Sequence, residues 1–483
     1  MEGNMLYVPL FINGKLQESL KTKQLINPAN YDEIIGVAYL GSREDAKAAI
    51  EAAYKAFPSW SRTNSFERSE LLKKAATLIR ERREELSRYL TLETGKPLKD
   101  VLKEVDFAAR VIEYYAEEAI RINGEIVSSI LANVRCLVIR QPIGVAGLIV
   151  PWNFPVDLLA WKLGAALAAG CTVVVKPSSE APIASTEFAI TVHRAGFPPG
   201  VINVVPGLAA EVGAELIENP RVAKISFTGD TETGKIVLEQ SAKQLKRVSL
   251  ELGGNAPAII CDDANIELAI AGCVRRAFSN MGQICISINR VYVYRKIAEK
   301  FINGVIEATS KLKIGNGLDP KVDLGPMFRE ELREKTRRHI KDAVAKGAEV
   351  LFGGSEPEGA EFEKGYFFLP TILTNVNHNM IIMRDETFGP VMPIMEVDGD
   401  DEAIQLANDS RYGLAAYVYT QNISRAIKMA EALEAGGVGI NINDVSELQA
   451  PFGGWKMSGI GRELSPHAID GYTEYKTVRI AVI

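Results

Sequence analysis

GVAGLIV (144–150), DLLAWKLGAALAAG (157–170), CTVVVKP (171–177), ASTEFAITVHRAG (184–196), VINVVPG (201–207), AEVGAELIEN (210–219), KISFTG (224–229), TETGKIVLEQSAKQ (231–244) and RVSLEL (247–252) follow one another along the chain. Largely apolar runs of six or seven residues, rich in Val and Ile, alternate with segments of ten to fourteen residues that read as helices. Strands with no polar face must be buried on both sides. Helices between them then act as crossovers, and the strands lie parallel. The pattern predicts an α/β fold whose ligands sit at the carboxyl ends of the strands.

Outward from this core, residues 43–120 read as helical, and Ser42 with Asp45 predicts a capped helix start. A β-prone stretch near 124–143 leads into the alternating region. Beyond Asn255, PAIICDD, RVYVY, GPVMPIMEV, LAAYVYT and GVGINI predict the strands of a second α/β unit, up to about Gly454. The last twelve residues, YTEYKTVRIAVI, alternate like a strand with no later chain to pair with. Such an edge needs a cover, and another subunit is the natural candidate.

Composition narrows the function. With 483 residues, several domains are expected. Net charge is −6 with both signs interspersed, which disfavours a nucleic-acid partner. Five scattered cysteines without metal or disulfide spacing fit a reduced, cytoplasmic setting. The four histidines do not cluster, so no metal site or His-based triad is expected. No run approaches the roughly 18 apolar residues of a membrane span, and MEGNMLYVPLFINGK lacks signal-peptide character.

Several loops carry candidate chemistry. Cys285 lies in the small-residue run Gly282-Gln283-Ile284-Cys285, and Glu251 ends a strand in Glu251-Leu252-Gly253-Gly254. Taken alone, such a cysteine is more often a small buried hydrophobe, and such a glutamate an ordinary strand end. Lys176 ends a buried strand and could reach a ribose or phosphate; a solvated strand-end lysine is the plainer reading. Gly229 in Phe227-Thr228-Gly229 and Gly207 each follow a strand and could present N–H groups to a phosphate, or simply turn the chain. Asn153 reads equally as a helix cap.

Taken together these segments resemble the aldehyde dehydrogenase superfamily. Pro151-Trp152-Asn153-Phe154-Pro155, Lys176-Pro177, Phe227-Thr228-Gly229, Glu251-Leu252-Gly253-Gly254, Gly282-Gln283-Ile284-Cys285, Glu386-Thr387-Phe388-Gly389-Pro390 and Pro451-Phe452-Gly453-Gly454 through Ser458-Gly459-Ile460-Gly461-Arg462-Glu463 fall in that family's order. The resemblance implies NAD(P)-dependent oxidation of a small aldehyde to its acid. Cys285 would be the nucleophile, Glu251 the base that activates water, and Asn153 part of the oxyanion hole. Trp152, Lys176, Ser179, Gly207, Gly229, Leu252, Glu386 and Phe388 would line the cofactor site. Phe107, Leu158, Trp161, Ile284, Ile286 and Phe452 would line the aldehyde tunnel, with Lys103 and Arg110 as possible anchors for an anion.

Two departures from the pattern matter. Ser179 stands where many NAD-preferring members carry Glu, which makes NADP admissible beside NAD. Asp230 follows Gly229 where Ser is usual, and its role is open. The implied fold is α/β and aldehyde dehydrogenase-like. Residues 1–123 and 144–253 would form a parallel-sheet cofactor-binding domain, and 254–455 an α/β catalytic domain. Residues 124–143 and 456–483 would form a small β oligomerisation element and C-terminal tail. A homodimer or homotetramer follows by the same resemblance. A CoA-acylating dehydrogenase or a non-catalytic relative are the alternatives; the presence of Glu251 favours the free acid as product.

Overall fold

Ser42 accepts from the Asp45 N–H while the Asp45 carboxylate accepts from the Ser42 N–H, so the helix Arg43–Trp60 starts where the capping box predicts. It appears in a computed structural model that describes residues 5–482. Three further helices, Ser65–Glu81, Arg83–Thr94 and Leu98–Ala119, complete the helical N-terminal region.

The alternating region folds as read. Arg247–Glu251, Val222–Thr228, Val145–Ile149, Thr172–Lys176 and Ile202–Val204 lie side by side and parallel. Short antiparallel strands extend this sheet to eight: Leu10–Ile12 and Lys15–Gln17 at one edge, Gly459–Ile460 at the other. The helix Asp157–Ala169 is buried along its whole length and ends at Gly170 in the left-handed conformation, which a residue without Cβ adopts freely. The segment 210–219 differs from a plain helix: Ala209–Gly213 winds as a π-helix before Ala214–Glu218 continues as α. Gly213 lies there against the Lys176 side chain, where a Cβ would sit 3.8 Å from its methylenes.

A second sheet of seven strands follows the order Glu349–Phe352, Thr371–Thr374, Val391–Val397, Ile288–Tyr294, Ala256–Ile260, Ala415–Tyr419, Gly437–Ile440. All its pairings are parallel except the first. No helix among the described residues is long and apolar enough to cross a membrane.

The final strand, Thr473–Ala481, does find a partner within its own chain. It pairs antiparallel with Val134–Pro142, and Glu125–Val127 completes a three-stranded sheet. The 456–483 segment therefore divides. Gly459–Ile460 belongs to the eight-stranded sheet, because it folds back against Arg247–Glu251, and only the last strand joins the small one. One edge of Thr473–Ala481 stays unpaired, and Tyr475 and Ile480 are exposed on it. Deletion of residues 472–483 strips the Val134–Pro142 strand of that partner. Later elution in size exclusion, or aggregation, is the expected result; unchanged elution and melting temperature would contradict it.

Candidate active site

The loop that leads into Cys285 is built by backbone that few residues adopt. Asn280 and Met281 sit at φ 49° and 56°, followed by Gly282 at 69°, where a Cβ would strike the Gly389 carbonyl at 2.2 Å. Gln283 locks the turn. Its Nε2 donates to the Asn280 carbonyl at 2.9 Å, and its Oε1 accepts from the Phe328 N–H at 2.9 Å. Cys285 follows, half-buried, and its carbonyl packs against Gly254, where a Cβ would come within 2.2 Å. The Glu251-to-Gly254 segment and the Cys285 loop touch only because residue 254 has no side chain.

Asn153 does not cap a helix. The helix Asp157–Ala169 begins after Val156 without a side-chain cap. Instead Asn153 Nδ2 donates to the Gln283 carbonyl at 3.0 Å, two residues before Cys285. One amide N–H remains for another acceptor. The Asn153 carbonyl accepts from Lys96 Nζ at 2.9 Å, and Lys96 forms a buried ion pair with Glu104.

Glu251 ends its strand, is 2% exposed, and neither of its carboxylate oxygens has a hydrogen-bond partner among the described residues. One oxygen would lie 3.0 Å from a Cβ on Gly453, so the C-terminal signature forms the wall of its niche. Burial, and then the nearby Glu463, push its carboxyl well above the usual range. Glu463 itself pairs with Lys162, which is fully buried and donates to Thr228 Oγ1 at 2.7 Å. Burial, then the Glu386 and Glu251 carboxylates, push the Cys285 thiol up to about 12. The unliganded thiol is thus held neutral. Alkylation of Cys285 by iodoacetamide is expected to be slow at pH 7 and to rise about tenfold per pH unit towards pH 10. A plateau near neutrality would contradict this.

Several of the residues expected to hold a cofactor follow strands of the eight-stranded sheet at its carboxyl edge. Lys176 is buried, and its amine reaches only the Pro177 carbonyl at 3.4 Å. Burial lowers its pKa to about 8. Ser179 lies three residues on, half-buried. Gly207 is packed against Val212 and the Gly41 carbonyl, leaving no room for a side chain. The Gly229 N–H donates to the Glu251 carbonyl at 3.0 Å, tying the Phe227-Thr228-Gly229 turn to the strand Arg247–Glu251. Asp230 points its carboxylate to its own helix: it caps Thr231–Ala242, accepting from the Thr233 N–H at 2.9 Å and hydroxyl at 2.6 Å. Leu252 packs over Gly234 of that helix. Glu386 accepts from the Gly254 N–H at 2.9 Å, and burial raises its pKa to about 7. Phe388, at φ 55°, meets Trp152 edge-on with centroids 5.7 Å apart. A buried lysine amine with no ion-pair partner among the described residues, at the carboxyl edge of the sheet, suits a phosphorylated ribose carrier.

A cavity of about 260 Å³ holds Cys285 and Asn153 in one wall. Phe107, Leu158, Trp161, Ile284, Ile286 and Phe452 all line it. Trp161 is fixed by its N–H bond to Asp157 at 2.8 Å and packs edge-on against Phe452 at 5.0 Å. Lys103 reaches the cavity and pairs with Asp100 at 3.3 Å; Arg110 does not line it and lies over the Phe107 ring. Arg275 and Arg276 line it as well, Arg276 bound to Asp444 and Arg275 without an ion-pair partner among the described residues.

Sequence reading missed several of these residues. Phe328 stacks on Trp152 with centroids 4.1 Å apart and planes 5° from parallel. Lys335 stands near Glu386, Asp385 and Asp230, its pKa lowered by burial. Neither carries a local motif; both arrive from a distant segment of chain.

The sequence profile described as the aldehyde dehydrogenase family matches residues 16–478. The chain belongs to the aldehyde dehydrogenase family. It is an NAD(P)-dependent oxidoreductase of the aldehyde dehydrogenase type. The chain is 44% identical to a succinate-semialdehyde dehydrogenase [NADP(+)] of Escherichia coli (strain K12), covering 100% of this chain and 99% of that one. A glutarate-semialdehyde dehydrogenase of Pseudomonas putida is 44% identical over 98% of this chain and 97% of its own length. The crystal structure of a betaine aldehyde dehydrogenase from Staphylococcus aureus in complex with NAD+ superposes with a TM-score of 0.96 at 37% identity, covering 98% and 94% of the two chains.

Proposed function

We propose that this aldehyde dehydrogenase forms the free acid through a thioester on Cys285. The observation that carries the reading is a cavity lined by Cys285 and Asn153, with the Glu251 carboxyl, unpartnered among the described residues, close enough to act on the Cys285 thiol. The Cys285 thiol gives up its proton to solvent, and the thiolate attacks the carbonyl carbon: a C–S bond forms and the C=O π pair moves onto oxygen. The resulting oxyanion accepts from the free Asn153 amide N–H and the Cys285 backbone N–H. NAD(P)+, when bound, would supply the hydride acceptor for this carbon and a positive ring that favours the thiolate. Loss of that hydride would leave the carbon as a thioester on Cys285. Glu251 then takes a proton from water, whose oxygen attacks the thioester; the C–S bond breaks and the acid leaves. A CoA-acylating reaction would leave that carboxyl without a task.

Lys176 and Ser179 would hold the adenosine ribose, Gly207 and Gly229 would border the pyrophosphate, and Glu386 would hold the nicotinamide ribose beside Trp152, Leu252 and Phe388. NADP would serve at least as well as NAD. The sheets would divide the chain as 1–123 with 144–253, and 254–455. A homodimer or homotetramer would cover Tyr475 and Ile480. Five unpaired thiols suit a reducing compartment.

The aromatic and aliphatic lining beside Cys285 favours an uncharged aldehyde chain. A second reading, a semialdehyde bearing a carboxylate, is favoured by the unpaired Arg275 and by the names of the two curated relatives. The test compares kcat/KM for hexanal, benzaldehyde and succinate semialdehyde, each with NAD and NADP and without CoA. The first reading expects hexanal or benzaldehyde to lead. Succinate semialdehyde in the lead, with at least about a tenfold loss in Arg275→Ala, would establish the second. Turnover that requires CoA would overturn both.

A further inference from the structure

We propose that Arg329 and Lys23 clamp the Glu180 carboxylate and so keep the adenosine corner open to a 2′-phosphate. The inference rests on the reading that Lys176 and Ser179 face the adenosine ribose. Glu180 is the next residue after Ser179, on the loop that leaves the strand Thr172–Lys176. The loop is drawn tight by the Glu180 N–H, which donates to Ser178 Oγ at 3.2 Å. A bare carboxylate on this loop would repel a phosphate dianion arriving beside Ser179.

Two cations from distant parts of the chain close on it. Arg329 Nη1 donates to one Glu180 oxygen at 2.6 Å, and Lys23 Nζ lies 3.6 Å from the other. Glu331 lies 3.7 Å from Arg329 Nε, but it is largely exposed and competes through solvent. Arg329 Nε itself is buried and makes no hydrogen bond. A half-exposed ion pair adds little to stability, so the consequence of this clamp is the local potential. The backbone under Arg329 is fixed by its neighbour: Phe328 stacks on Trp152 and donates its N–H to Gln283. The masking group is thus seated by residues that also shape the reaction centre, and Arg329 acts as a positioning residue through Glu180.

The test is isothermal titration of the unliganded enzyme with NADPH and with NADH. The wild type is expected to bind NADPH at least as tightly as NADH. A strong NADH preference there would overturn the underlying reading of Ser179 before any variant is made. Arg329→Ala is expected to weaken NADPH about tenfold and NADH by under about threefold, because only the 2′-phosphate feels the unmasked carboxylate. Adding Glu180→Gln to it is expected to restore NADPH binding, and Glu180→Gln alone to leave it undiminished. Equal losses for both cofactors in Arg329→Ala would overturn the clamp as a general structural effect. An NADPH loss that persists in the double variant would overturn it too, since Arg329 would then touch the phosphate directly.

Discussion

Replacing Cys285 by alanine is expected to lower aldehyde-dependent NAD(P) reduction by about four orders of magnitude, because no other group can form the covalent intermediate. The four other cysteines are buried away from this cavity, so none can substitute. Cys285 is half-buried in a loop set by Asn280, Met281 and Gly282, and alanine fits the same space. Melting temperature and cofactor affinity should therefore stay close to wild type. Stopped-flow absorbance of the reduced nicotinamide checks the first point, and titration with NADH the second. Residual reduction within about tenfold of wild type would remove Cys285 from the mechanism.

Glu251→Gln separates the two halves of the reaction. The proposed task of Glu251 begins after hydride transfer, so the variant should still form the thioester. Its steady-state rate is expected to fall by about a thousandfold, within the range for a lost general base. A burst of reduced cofactor equal to the enzyme concentration should precede that slow phase. The sign of the pH dependence follows from the same site. Burial and Glu463 hold the Glu251 carboxyl well above its usual range, so the basic form gains as pH rises. Deacylation in the wild type should accelerate from neutral into alkaline solution. A burst of equal size with no loss of the steady rate would reassign the base.

Much of this was legible in sequence because the fold rests on local, repeated signals. Continuous Val and Ile runs declare buried parallel strands, and Ser42 with Asp45 declares a helix start. Cys285 and Glu251 were legible only as motifs. What brings them together is the absence of a Cβ at Gly254 against the Cys285 carbonyl, a contact no spacing rule contains. Asn153 read as a cap by propensity, yet tertiary contact with the Gln283 carbonyl claims its amide. Asp230, whose role the sequence left open, satisfies its own helix end. Phe328, Arg329 and Lys335 were invisible, since their roles depend on a segment folding across from the other sheet.

The most direct measurement is the intact mass of the Glu251→Gln enzyme after mixing with a turned-over aldehyde and NAD(P)+. One added acyl group per chain, absent when Cys285→Ala is combined with it and released by hydroxylamine, is the predicted result. An unmodified mass during the slow phase, with reduced cofactor already formed, would contradict a thioester route.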